Sequence, residues 1–335
     1  MNAVKGFQVG AFLKNYNVMI IFVALFTFAS ISYEHFFTTL NIFNVLKQAS
    51  ILGLLAIGMT FVIITRGIDI SVGSVLALSG VLAANLSKYG VLVAIVVPLA
   101  VSCLIGIVNG LVVTKVRMDP FVATLATMIG IRGIAFIATG EVAVRIEGVS
   151  ESFYFLGRGD VLGIPLPIYI MIILFVVMSF VARYRPFGRH VYAVGGNEEA
   201  AKMMGLPVDR IKIKVYVLSS LLAGIAGIIL ASRLGAGHPV VGDDYHLQAI
   251  ATVVLGGTLL TGGVGKLSGT FFGVLIMSLI TNIFNMQGNI STWWQNVLMG
   301  VIVLLVIVSQ AAMNREGRGV RGWKGRFRRL QQSGV

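Results

Sequence analysis

Apolar runs long enough to cross a bilayer recur along almost the whole chain. About 20 apolar residues, coiled as a helix, match the ~30 Å hydrocarbon core of a membrane. Inside that core a backbone must satisfy its own hydrogen bonds, which a helix does unaided. The runs therefore predict an all-α polytopic membrane protein. Composition agrees: 12% of residues are charged, 57% are hydrophobic and the mean hydropathy is +0.91. Soluble domains carry roughly 25% charged residues. A length of 335 residues would suggest two soluble domains, but continuous apolar patterning favours one embedded domain over 1–335.

Ten spans are expected, near 17–33, 46–65, 72–86, 91–113, 121–139, 165–182, 215–234, 246–260, 267–284 and 292–310. Asp209 reads as a cap for the seventh. Residues 1–16 form a short lead, 140–163 a polar loop, 183–214 a long polar segment and 311–335 a basic tail. The first run is followed by SISYEHF, which offers no small-residue cleavage site, so it reads as a retained span. Ten crossings put both termini on one side. With the N-terminus inside, the inner segments hold Lys5, Lys14, Arg66, Lys115, Arg117, Lys266, seven basic residues of 183–214 and the basic tail. The outer ones hold only Lys47, Lys88, Arg145, Arg158 and Arg233. The positive-inside rule then gives N-in/C-in. The net charge of +13 is therefore not read as nucleic-acid affinity, because most of the basic residues fall in the inner segments. The tail directly follows a span and mixes Arg and Lys with Trp323 and Phe327, which suits anionic lipid rather than nucleic acid.

Catalytic signatures are missing. GGVGKLSG places Leu267 where a phosphate-binding loop needs Ser or Thr. There is no HExxH and no GxSxG. The four histidines have no metal-ligand spacing, so no metal site is expected, and the lone Cys103 excludes an internal disulfide. Carboxylates within the spans are too scarce for a proton relay. The pattern argues against an enzyme and against a proton-driven pump.

One polar segment is organised. Between Gly188 and Lys214 the chain reads GRHVYAVGGNEEAAKMMGLPVDRIKIK. Asn197 is a good N-cap, Glu198 and Glu199 suit the positive end of a helix, and Gly205 with Pro207 ends it. Ala200, Met203 and Met204 share one face. Such a helix either docks into a groove on a partner or packs on its own protein. Two glycine-rich hairpins, Gly58–Ser74 and Gly256–Thr270, look like a weak internal repeat. They read as transport-path breaks or as close helix packing. GIVNG (Gly106–Gly110) and GTFFG (Gly269–Gly273) read as packing. Arg132 lies deep in the fifth span and must face protein or water. It either bonds carbonyls of neighbouring helices, brought close by Gly130 and Gly133, or lines the path.

The string LLAIGMTFVIITRGIDISVGS (54–74) resembles the hallmark of the ribose/xylose/arabinose-type permeases of bacterial ABC importers. PFVATLATMIGIRGIA (120–135), FGRHVYAVGGNEEAAKMMGL (187–206) and LQAIATVVLGGTLLTGGVGKLSGTFFGVLI (247–276) resemble its later blocks, in order. The resemblance implies a permease subunit in the inner membrane that works as a pair, homo- or heterodimeric. It also implies a cytoplasmic ATPase holding ATP and Mg, and a periplasmic or lipid-anchored sugar-binding protein. No cofactor is implied on this chain. Asn197, Glu198, Glu199, Ala200, Ala201, Met203, Met204 and Gly205 would then form the ATPase-coupling helix. Arg66, Asp69, Ser71 and Arg132 are candidates for the translocation path. Arg66 stands where the family usually has glycine, which puts a glycine-like backbone role in doubt. The alternatives are an importer of the same kind for branched-chain amino acids or an autoinducer, and an ATP-independent carrier.

Overall fold

The computed structural model describes residues 18–148 and 151–287, with isolated positions between 294 and 308. The expected lead 1–16 and the basic tail 311–335 lie outside the described residues, as does most of the tenth span. The stretch from Ser291 onward clusters as a separate unit, and its described positions, such as Trp294 and Val301, are helical.

The main unit is a helical bundle. Its helices are α1 (Val18–Ser32), α2 (Thr39–Ile64), α3 (Val72–Leu86), α4 (Val91–Leu111), α5 (Pro120–Thr139), α6 (Glu151–Arg158), α7 (Leu166–Tyr184), α8 (Pro186–Gly196), α9 (Glu198–Met203), α10 (Val208–Leu234), α11 (Tyr245–Leu255) and α12 (Leu267–Gln287). Six helices among the described residues are long and apolar enough to span: α2, α4 with its terminal π-turn, α5, α7, α10 and α12. Each of the first nine expected spans has a helix, but α1, α3 and α11 are short. At 1.5 Å per residue, a 15-residue α3 is about 22 Å long and an 11-residue α11 about 16 Å. Neither reaches across ~30 Å alone. The seventh span starts at Val208, not near 215, and Asp209 is not its cap. Pro207 takes that position, and Asp209 ion-pairs with Lys115 at 2.7 Å.

Burial sorts the helices into layers. The apolar windows of α2 and α10 are 89% and 78% buried, and α3 is buried almost throughout. Those of α4, α5 and α7 are at most 28% buried and form the rim. Glycines set how closely the inner layer packs. A Cβ on Gly106 would sit 2.6 Å from the Val217 Cα, and one on Gly110 2.7 Å from the Ile213 Cα. The GIVNG motif thus lets α4 lie on α10, as expected. GTFFG does the same for α12 on α11, where a Gly269 Cβ would meet the Gly256 carbonyl.

The expected polar loop 140–163 holds structure. Its α6 is pinned to the end of α10 by Ser232, whose hydroxyl accepts from Gly157 N at 2.9 Å and donates to the Phe153 carbonyl at 2.7 Å. Two two-residue antiparallel ladders accompany it: β1 (Val144–Arg145) with β4 (Ala236–Gly237), and β2 (Asp160–Val161) with β3 (Ile164–Pro165).

The connection from α10 to α11 is more than a loop. After β4 the chain follows α3 backwards: Gly237 packs against Gly80 and Val81, and Gly242 against Gly73. Gly73 and Gly80 are seven residues apart on a helix, about 10 Å. The unwound segment 237–244 therefore runs back into the bundle before α11 begins. Backbone unwound at that depth is tolerable only where protein or water satisfies it.

Candidate coupling site and the polar core behind it

The small helix α9 forms where the sequence places it. Asn197 accepts from Ala200 N at 3.1 Å. At the other end Gly205 N–H bonds to Lys202 O at 2.9 Å and Leu206 N–H to Ala201 O at 3.1 Å, with Gly205 at φ 78°. That pair of bonds is a Schellman closure, and it requires the left-handed residue that glycine supplies at no steric cost. Glu198 receives Lys202 Nζ at 2.7 Å and Lys212 Nζ at 2.5 Å, which ties α9 to α10. Partial burial pushes the Glu198 carboxyl up, but the hydrogen bonds and charges of the two lysines outweigh it and hold the carboxyl below its ordinary range.

The expected docking residues divide. Met203 and Met204 are 87% and 69% exposed, Glu199 is exposed and Ala200 half-buried. Ala201 is fully buried and anchors the helix to its own protein, so it is unavailable to a partner. Glu198 faces Lys212, and Gly205 serves the C-terminal turn. A cleft of about 660 Å³ opens beside α9, with Thr114, Arg117 and Asp119 on one wall and Glu198, Lys202 and Lys212 on the other.

Behind α9 three stretches meet. Arg66, just past α2, adopts φ 64° and sends its guanidinium to the end of α8. Its Nε donates to Gly195 O at 2.8 Å and its Nη2 to Gly196 O at 2.6 Å. Gly263 N–H donates to Ile64 O at 2.9 Å, and a Cβ on Gly195 would meet that same carbonyl. The doubt over Arg66 is thus resolved against the expectation: arginine occupies the left-handed conformation, and its side chain spans from α2 to α8. Arg66 is a brace at this end of the bundle. The two glycine-rich hairpins also touch here, with Thr60 and Thr270 hydroxyls 2.9 Å apart.

Asp69 lies in the turn between α2 and α3 and is wholly buried. One carboxylate oxygen accepts from Ser71 N at 3.1 Å and Ser71 Oγ at 2.6 Å, and the other from Ser219 Oγ at 2.8 Å. Asn109 donates to Ser71 Oγ at 3.0 Å, and Thr127 donates to Asn109 at 2.6 Å. The donors point in series toward Asp69 and link α3, α4, α5 and α10. Each donation polarises the next. Sequence reading found Asp69 and Ser71 but missed Asn109, Thr127 and Ser219. Their one signal was a polar side chain inside an apolar run.

Arg132 sits on α5 and is 14% exposed. One nitrogen donates to the carbonyls of Pro239 and Val241, the latter at 2.9 Å, and another pairs with Asp243 at 2.9 Å. The partners are the unwound segment, not neighbouring helices. Gly130 and Gly133 do not serve a close approach, because a Cβ at either would meet nothing within 4 Å.

These contacts join the quoted blocks 54–74, 120–135, 187–206 and 247–276 into one connected structure. A family model described as branched-chain amino acid transport system / permease component matches residues 41–307. The chain belongs to that family. Among curated relatives, the ribose import permease protein RbsC of Bacillus subtilis is 43% identical over 303 residues, 90% of this chain and 92% of its own. RbsC of Escherichia coli K12 is 41% identical over 89% of this chain and 94% of its own. The L-arabinose ABC transporter permease protein AraH of Azospirillum brasilense is 38% identical over 91% of this chain and 89% of its own. No solved structure matches the chain. This permease is a multi-pass membrane protein.

Proposed function

We propose that this chain is the membrane-spanning subunit of an ATP-binding-cassette importer for a monosaccharide. The family model's description leaves branched-chain amino acids open. Relatives that match nearly full length at 38–43% identity carry ribose and arabinose names, and they favour a sugar. The subunit would sit in the bacterial inner membrane with N-in/C-in topology and about ten spans. It would pair with a second permease subunit and receive its sugar from a binding protein. ATP and Mg would be held by a separate cytoplasmic ATPase, and this chain would hydrolyse nothing.

The observation that carries the coupling role is α9: a helix capped at both ends, clamped by Glu198 to Lys212, with Met203 and Met204 exposed. A six-residue helix is unstable alone, so it is held in place for contact. Arg66 bonds the two residues that precede Asn197, which gives movement of α9 a direct route to α2. Met203→Glu tests the reading, because burying an unpaired charge in an interface costs several kcal/mol. The variant should reach the membrane at normal level, lose sugar uptake and co-purify less ATPase. Normal uptake and association would turn this face away from the ATPase.

A further inference from the structure

A second cleft, of about 850 Å³, lies at the same end of the bundle, between the end of α7, the start of α8 and the start of α12. Arg183, Arg189 and Lys266 line it, with Ser268 and Tyr192. No carboxylate pairs with these three cations among the described residues. The first turn of α12 opens into the cleft at Leu267 and Ser268, and helix-opening amides lack partners within their own helix. Its walls are fixed: Tyr192 Oη donates to the Gly265 carbonyl at 2.8 Å, and Arg189 Nη1 donates to the Tyr184 carbonyl at 3.2 Å. A concavity lined by three cations at the start of a helix suits a phosphate group.

A separate observation narrows the source. The outer face of α7 exposes Ile172, Ile173, Val176, Val177 and Phe180, and helical spacing carries that stripe directly to Arg183. At its end the Arg183 guanidinium lies over the Tyr184 ring and that of Arg185 over the Phe180 ring. Aromatic and basic residues gathered at the end of a spanning helix mark the level of lipid headgroups. An apolar stripe that runs into a cationic cleft matches a molecule with acyl chains and a phosphate. A second copy meeting this patch about a two-fold axis would bring like charge against like charge. We infer that the Arg183–Arg189–Lys266 cleft binds the headgroup phosphate of an anionic phospholipid, whose acyl chains lie along α7. The inference rests on α7 spanning the membrane and on no transported substrate.

The test uses the full-length chain in detergent, titrated with phosphatidylglycerol or with phosphatidylcholine of the same acyl chains, and native mass spectrometry to count bound lipid. Phosphatidylglycerol should be retained in preference. At about fivefold per basic residue near an anionic headgroup, combining Arg183→Gln, Arg189→Gln and Lys266→Gln should weaken it roughly a hundredfold. Arg210→Gln, which removes one positive charge elsewhere on α10, should have little effect. The three single variants carry the test if the triple variant does not fold, and each should lose about fivefold. Equal retention of both lipids, or an equal loss in Arg210→Gln, would overturn the inference. So would displacement of the lipid by millimolar inorganic phosphate, which would make the cleft a site for the free ion. Loss of ATPase association with lipid retention unchanged would assign it to a protein partner and overturn the inference equally.

Discussion

Arg66 shows how one side chain sets two opposed energies. A non-glycine residue in the left-handed region costs roughly 1–2 kcal/mol. Its two bonds, to Gly195 and Gly196 at the end of α8, are charge-assisted, and hydrogen bonds to charged groups contribute about 1.5–3 kcal/mol each. The bonds win. Arg66→Gly therefore loses more than it regains, and Arg66→Ala keeps the strain while losing the bonds. Thermal unfolding in detergent should rank wild type above Arg66→Gly above Arg66→Ala. A glycine variant more stable than wild type would mean that the brace contributes nothing. Arg132 differs in what it leaves behind. Removing it strands the Pro239 and Val241 carbonyls, which are part-buried, so the cost falls toward the lower end of the roughly 1–3 kcal/mol of an unpaired buried acceptor. Arg132→Lys keeps the charge but lacks the planar fork that serves two carbonyls and Asp243 together. Both Arg132→Lys and Arg132→Ala should lower thermal stability and protein level, alanine more. Wild-type stability in Arg132→Ala would remove the segment 237–244 from its care.

At the scale of elements, α9 was legible because every signal in it is local. Asn197, Glu198, Gly205 and Pro207 act within six residues of the turns they make, so composition and spacing suffice. The short α3 and α11 were not legible as partial crossings. Their sequences are as apolar as a span, since helix burial inside protein and burial in lipid reward the same residues. Segment 237–244 was hidden for a related reason. Its depth depends on Gly73, more than 150 residues away, whose Cβ would meet the Gly242 carbonyl, and on Gly237 and Gly242, which lie against the backbone of α3. Asn109, Thr127 and Ser219 belong to the same class, each unremarkable until α3, α4, α5 and α10 come together. The α9 clamp has its own pH signature. Glu198 has a carboxyl lowered in the folded state, so its contribution is complete above the ordinary glutamate range near pH 4.3 and is lost as pH falls through the lower folded value. Glu198→Gln should therefore be less stable than wild type at pH 7, by a modest margin because the pair is partly solvent-screened. The two should converge as pH falls through that lower folded value. Thermal unfolding of both across pH 3–8 reads the difference directly, and a gap that widened toward acid would contradict the clamp.

At the scale of the whole molecule, one helix sets which face of the bundle meets the cytoplasm. The short helices α3 and α11, of 15 and 11 residues, do not each add a full crossing. Between Leu162 and Glu199 the only long apolar helix is α7, with 19 residues and a rim position. At 1.5 Å per residue it covers about 28 Å, close to the full hydrocarbon thickness. Leu162 and Glu199 must then lie on opposite sides, whatever α3 and α11 do. Charge sets the expectation for which is which. The last turn of α7 and the segment after it carry Arg183, Arg185, Arg189 and Lys202, and the segment before it Arg145 and Arg158. Basic residues within short loops stay on the cytoplasmic side, while acidic residues contribute little. Both test positions are exposed, Leu162 at 95%. After Cys103→Ser, Leu162→Cys should react with an impermeant thiol reagent in intact cells. Glu199→Cys should react only once the membrane is opened. Reaction of both in intact cells would remove α7 as a span. The reverse pattern would keep the fold and invert the protein, placing α9 and Met203 outside, where no ATPase could reach them.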